Sequence, residues 1–403
     1  MDNNSLKFAE QKVLEVYTKV NPSYRPIEDD KELYLKILKS REQLFFRHLK
    51  LPKKLFQNSN LLSLGCGTGE YEAIYAQWGA KLSCVEMNPI SVSRTKKLFE
   101  AFNITDQLEQ ISCISYFDFE SDQTYDMVVT DGSVVHTDDP IGAITKFTRY
   151  VDSEGFLIFS FAELSGMFQR NIQRYILYCL SDGDESKIVE YSKLLFKEHL
   201  DRSVAIGKRT EKSIIYDTYV NPKIKTPSLL DIFGIMDEIG FELYSMYPMG
   251  EPVGFCESFR EINESLSSPK NIHMFLLSQI NWLLAADTNN YLAGTTFESW
   301  IPIMNEYENF IKHFYDISME NSNLEILNKG ITSLENITKF DITSTMNTFY
   351  NGRLESLLND LKNIQLSLEN KDIQQLAQID YDVIFKGCCG VGTNYFVFQH
   401  KLF

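Results

Sequence analysis

The stretch LLSLGCGTGE carries the sharpest chemical signal in this sequence: an apolar run ends in Gly65, Gly67 and Gly69, and an amphipathic segment follows. Glycines at that spacing let a strand turn tightly into a helix and let the backbone approach a ligand closely. Free amides at the helix start can then receive an anionic group. The implied ligand is nucleotide-like. A second apolar run, KLSCVE, ends in Glu86, 17 residues after Gly69, where a carboxylate can accept both hydroxyls of a ribose. Two separate segments therefore point to one nucleoside site. Further on, YDMVVTDGSVVHT places Asp131 and His136 just past another apolar run. Either has the chemistry to orient or deprotonate a second reactant; the plainer alternatives are a turn cap for Asp131 and a helix start or satisfied core position for His136. Tyr216, Asp217 and Tyr219, ahead of Pro222, gather two aromatic rings and a carboxylate in an expected loop. That loop suits a polar or cationic substrate, or the covering of a sheet edge.

These residues need a scaffold, and the apolar runs supply it. LLSL (61–64), KLSCVE (81–86), LEQISCI (108–114), YDMVVTD (125–131) and GFLIFSF (155–161) alternate with amphipathic stretches, the signature of βαβ units and a parallel sheet in an α/β fold. Residues 1–57 read mostly as N-terminal helices and 58–162 as the ligand-binding core. The stretch 163–227 reads as an inserted helical cap, with a helix around Phe168–Cys179 and a second through His199. Residues 228–250 hold a helix ended by Gly240 and a strand, FELYSMYP. From 251 to 385 the periodicity is helical, as in Ile303, Tyr307, Phe310, Phe314 and Ile317, or Leu354, Leu357, Leu361, Ile364 and Leu368. Residues 386–403 return to a strand. Gly387 and Gly390-Val391-Gly392 read as a turn into it, since no helix follows.

A dinucleotide fingerprint wants a third glycine where Glu70 stands. The G-x-G-x-G spacing instead resembles motif I of class I S-adenosylmethionine-dependent methyltransferases, over about residues 38–250 plus the last strand. The resemblance implies a Rossmann-like seven-stranded sheet whose last two strands pair as an antiparallel hairpin, the seventh beside the fifth. The block 251–385 then becomes a large helical insertion before the last strand. It also implies S-adenosyl-L-methionine as cofactor, held by Gly65, Cys66, Gly67, Thr68, Gly69, Glu86, Met87, Asp118, Phe119 and Thr130. Of these, Met87 would take one adenine face, Asp118 the adenine amino group and Phe119 the ring. Asp131 and His136 are the catalytic candidates, and Tyr216, Asp217 and Tyr219 the substrate candidates. REQLFFRHLKLPKKLF, the VVHTDDP segment and DTYVNP resemble a narrower bacterial and archaeal branch of diverse acceptors, except that Val135 replaces the first of two histidines.

The formal charge of −16 repels phosphate backbones, so nucleic acid is not the expected partner. Seven scattered cysteines, no apolar leader and no Cys-x-x-Cys pair imply a reducing, cytoplasmic setting without structural metal. Ile272–Ala286 is too short and too polar to span a bilayer. The leading expectation is methylation of a small molecule in an enclosed pocket. The alternatives are a protein or peptide acceptor docked on the helical insertion, which could also serve as a homodimer surface, and a non-catalytic S-adenosylmethionine-binding regulator.

Overall fold

Seven strands form one mixed sheet in the computed structural model, which describes residues 3–21, 23–207, 209–247, 297–315, 317–319, 321–340, 353–379 and 393–401. They are β1 (Asn60–Leu64), β2 (Lys81–Val85), β3 (Leu108–Ser112), β4 (Tyr125–Asp131), β5 (Val151–Phe161), β6 (Phe241–Tyr247) and β7 (Asn394–His400). Their order is β3-β2-β1-β4-β5-β7-β6, and β7 alone runs antiparallel to its neighbours. This is the expected α/β sheet, with the seventh strand between the fifth and sixth.

The near-continuous apolar runs have a simple cause: both faces of the sheet are covered. Side chains alternate across a strand. Leu61, Met127 and Val129 therefore face a core with Phe45, Tyr75, Trp78 and Leu98, while Leu62, Leu64 and Val128 face one with Phe147, Phe159, Phe233 and Phe398. The first core is roofed by α2 (Lys31–Glu42), α3 (Glu70–Trp78) and α4 (Pro89–Ala101), the second by α5 (Pro140–Phe147) and α10 (Leu229–Glu238). Asp30 caps α2 by accepting the Leu33 amide at 2.9 Å, and a π-helical turn, Gln43–His48, continues it toward the sheet. An N-terminal helix, α1 (Asn3–Val20), precedes these.

The cap is more divided than its periodicity implies. It comprises α6 (Leu164–Ser181), α7 (Glu185–Leu195), α8 (Lys197–Gly207) and α9 (Glu211–Ile215). The helix expected to run through His199 breaks at Phe196, whose ring is buried. The expected loop at Tyr216 is instead a π-helical turn, Tyr216–Val220, closed by the Asn221 amide on the Tyr216 carbonyl at 2.8 Å.

Four helices of the later block, Phe297–Lys312, Leu324–Ile337, Arg353–Glu369 and Ile373–Gln378, share one core with the cap. Phe168 packs its ring 5.2 Å from Phe310 and 5.5 Å from Phe314. Gly330 permits the closest approach there, because a Cβ on it would lie 2.6 Å from Phe314. Two stretches distant in sequence are thus one helical body. Among the described residues no helix is long and apolar enough to cross a membrane. Gly387, Gly390-Val391-Gly392 and Ile272–Ala286 lie outside the described residues.

Candidate active site

A cavity of about 380 Å³ opens at the carboxyl edge of the parallel strands, where open α/β sheets place their ligands. Its floor is the glycine turn after β1. Gly65, Gly67 and Gly69 all have positive φ, +76°, +56° and +84°. A Cβ on Gly65 would sit 2.7 Å from Ser133, and one on Gly69 2.7 Å from Thr95. Those two glycines let the turn pack against its neighbours. Gly67 differs: a Cβ there would meet only Ser23, at 3.9 Å, so its backbone borders open space. Glu86, just past β2, accepts the Gly67 amide at 2.9 Å and the Asn88 amide at 2.8 Å, which pins the carboxylate against the turn with lone pairs to spare. Cys66, Thr68 and Met87 also line the cavity. An open backbone cradle beside an under-used carboxylate fits a nucleoside.

Other expected contacts are not brought to this site. After β3 the chain turns at Ser115, whose carbonyl accepts the Asp118 and Phe119 amides at 3.0 and 3.1 Å. That turn sends Asp118 to the surface, near Lys7 at 3.7 Å, and Phe119 into the core, 5.4 Å from the Tyr150 ring. The cavity wall at this point is Ile114, Ser115 and Tyr116, residues nearer the strand end. Thr130 is buried below the rim, its hydroxyl 2.6 Å from that of Ser133. Tyr219 is buried in the cap and donates to Gln173 at 2.8 Å. Tyr216 bonds Glu185. Neither tyrosine reaches the cavity, because the π-helical turn directs only Asp217 inward.

Asp131 and His136 both line the cavity, but in different states of engagement. Asp131 accepts from Arg41 at 2.6 Å and from Ser160 and Tyr395 at 2.8 Å each, rather than capping the next turn. Three donors hold it, so its role is to anchor Arg41 under the rim. His136 ends a short 3₁₀ turn, Val134–His136, after β4. Its Nδ1 lies 3.1 Å from both the Lys223 carbonyl and Asn221 Nδ2, and its Nε2 lies 3.2 Å from the Tyr17 hydroxyl. With the hydrogen on Nδ1, Nε2 is left as an acceptor, the form a base requires. The single Tyr17 hydrogen serves either His136 Nε2 or Asp217 Oδ1, 3.0 Å away, and Arg209 donates to Asp217 at 2.8 Å. Burial pushes the Asp217 carboxyl up, but Arg209 and His136 outweigh it and hold it at about 2. Burial lowers the His136 pKa although Asp217 opposes this, so the imidazole is neutral at pH 7.

Tyr17 belongs to α1, as do Glu10 and Val13, which also line the cavity. Their spacing of three and four residues marks one helical face. Nothing in the sequence says what that face covers. Ser115 donates to Glu10, and Lys19 reaches Glu185 at 2.6 Å, so α1 bridges the sheet edge and the cap over the site. Arg25, Tyr71, Arg170, Arg209 and Tyr395 complete the lining. No motif announces them.

Behind the glycine turn, Glu72 is buried and accepts from Ser63 at 2.7 Å. Burial raises its pKa from 4.5 to about 8. The folded chain therefore keeps a proton that the unfolded chain releases near pH 4.5, so this residue's contribution to stability is full below that pH and is lost as pH rises toward 8. Urea midpoints measured across that window should fall more steeply for the wild type than for Glu72→Gln; parallel profiles would contradict the assignment.

The family model described as a methyltransferase domain matches residues 37–245. Among curated proteins, a malonyl-[acyl-carrier protein] O-methyltransferase of Acetivibrio thermocellus is 24% identical over 131 residues, 32% of this chain and 44% of that protein. A probable cobalt-precorrin-6B C(15)-methyltransferase (decarboxylating) of Methanobrevibacter smithii is 32% identical over 76 residues, 19% of this chain and 41% of that protein. The chain thus spans less than half the length of either relative. A solved magnesium protoporphyrin IX methyltransferase from Synechocystis PCC 6803 aligns at 15% identity and a TM-score of 0.28, covering 34% of this chain and 64% of the other. The glycine turn, Glu86, His136 and strands β1 to β5 fall within the matched residues, and this chain belongs to the methyltransferase-domain family.

Proposed function

We propose that this protein transfers the methyl group of S-adenosylmethionine to an oxygen or nitrogen atom of a small-molecule acceptor. The observation that carries this reading is a single cavity lined both by a nucleoside cradle, Gly67 and Glu86, and by His136, with residues of α1 and the cap in its wall. Enclosure favours a small acceptor over a protein side chain.

In S-adenosylmethionine the methyl sits on a sulfonium already primed to leave. The chain's own task is to align the acceptor and exclude water, which in favourable cases supplies roughly 7–11 kcal/mol of the barrier reduction. Gly65, Gly67 and Gly69 with Glu86 would hold the nucleoside, and Met87 offers an apolar wall beside it. His136 Nε2 is placed to take the proton of a hydroxyl acceptor. Tyr17, tied to Asp217, fixes the imidazole. An amine acceptor needs less from His136, because it can lose its proton after attack.

Incubation with methyl-labelled cofactor and a fractionated metabolite extract tests the reading. A labelled small molecule is the expected product. Label confined to protein, or retained wholly in bound cofactor, would contradict it. Glu86→Ala removes a charge-assisted acceptor and should weaken S-adenosylmethionine by roughly 1–3 kcal/mol in calorimetric titration. An unchanged affinity in the folded variant would place the ribose elsewhere.

A further inference from the structure

Arg170, on α6, lines the cavity beside the group expected to meet the acceptor. Among the described residues it has no hydrogen bond and no ion pair, Asp217 is the carboxylate whose charge it feels, and its Nε, like those of Arg174 and Arg209, is buried without a hydrogen bond. The neighbouring cations are accounted for. Arg209 is paired with Asp217 at 2.8 Å. Arg174 donates to the carbonyls of Thr218 and Asn221 at 2.9 and 3.0 Å and to that of Ile317 at 3.3 Å. Asp217 divides its two oxygens between Tyr17 and Arg209. Among the described residues of the cavity wall, Asp217 is the carboxylate beside Arg170 and Arg209, with Arg174 behind them. In a chain of formal charge −16, this cap side of the cavity is locally positive. Asp217, which the sequence offers to a polar or cationic substrate, already has Arg209 on one of its oxygens.

For a guanidinium in a cavity wall whose terminal nitrogens hold no hydrogen bond, a bidentate carboxylate or phosphate is the group that satisfies it best. We propose that Arg170 receives an anionic group, a carboxylate or phosphate, on the acceptor. The inference rests on the methyl-transfer reading above and names its substrate class. The cofactor's own carboxylate is a second source of the same chemistry, and Arg25, whose backbone amide is bonded to Glu70 at the end of the glycine turn at 2.9 Å, is the other arginine lining the cavity there.

Calorimetric titration of the full chain with benzoate and with uncharged benzamide, with and without S-adenosylhomocysteine, tests this. Benzoate should bind at least tenfold tighter than benzamide. Arg170→Gln should abolish that preference while holding S-adenosylhomocysteine within about twofold of wild type. Equal binding of the two probes, binding of neither, or a preference that survives in Arg170→Gln overturns the proposal. So does a variant that loses S-adenosylhomocysteine but keeps methylthioadenosine, which would give Arg170 to the cofactor's carboxylate. A wild type that binds no S-adenosylhomocysteine fails the methyl-transfer reading instead, and the benzoate preference of the unloaded chain is then read by itself.

Discussion

Replacing Arg41 by methionine is expected to lower the stability of the folded chain by roughly 3–5 kcal/mol, the cost of removing one partner from a buried ion pair. Arg41 is almost fully buried, bonds Asp131 at 2.6 Å, Tyr395 at 2.8 Å and Tyr75, and lies 4.0 Å from the centre of the Tyr71 ring. Methionine keeps the apolar stem and deletes the charge. Asp131 would then stand at the rim with two hydroxyl donors and no cation. The double variant Arg41→Met with Asp131→Asn should recover much of the loss, because it leaves no uncompensated charge. Urea unfolding followed by tryptophan fluorescence is a suitable measurement, since Trp78 packs 5.8 Å from Phe45 in the same core. A loss under about 1 kcal/mol would mean that the pair is surface-like in energy.

His136→Gln is expected to slow transfer to a hydroxyl acceptor by about 10²- to 10⁴-fold, the usual contribution of a positioned base, while cofactor affinity stays within about twofold. With an amine acceptor the loss should stay under about tenfold. The pH profile supplies a second readout. Burial holds His136 below the ordinary histidine range, so the wild-type rate should persist on acidification past pH 6.5 and fall only below that, whereas the variant should show no such limb. A hydroxyl acceptor methylated equally well by both proteins would reduce His136 to a satisfied core residue.

How much of this was legible in the sequence follows from where the signals reside. Strands buried on both faces are continuous apolar runs, so β4 begins and ends where the sequence predicts, and β1, β2 and β6 differ by at most about a residue at an end. β5 starts earlier, at Val151, because Asp152, Ser153 and Glu154 extend it toward solvent. The glycine turn and Glu86 are local in sequence and were equally readable. The family resemblance points to Asp118 and Phe119, and the residue types to Tyr216 and Tyr219, yet a turn at Ser115 and a π-helical turn at Tyr216 direct their side chains away from the cavity. Both are decided by backbone hydrogen bonds that no residue pattern announces. The remaining site residues depend on contacts far apart in the chain: Tyr17 meets His136 across 119 residues and Asp217 across 200. Arg170 is prominent only once its place in the cavity wall is visible.

The central claim is that the rim of the sheet, between Gly67 and Glu86, holds the adenosine of S-adenosylmethionine. A crystal structure of the full chain with S-adenosylhomocysteine tests it most directly. The account predicts both ribose hydroxyls within hydrogen-bond distance of the Glu86 carboxylate and the adenine against Met87. Ligand density elsewhere in the molecule, or a ribose turned away from Glu86, would contradict it.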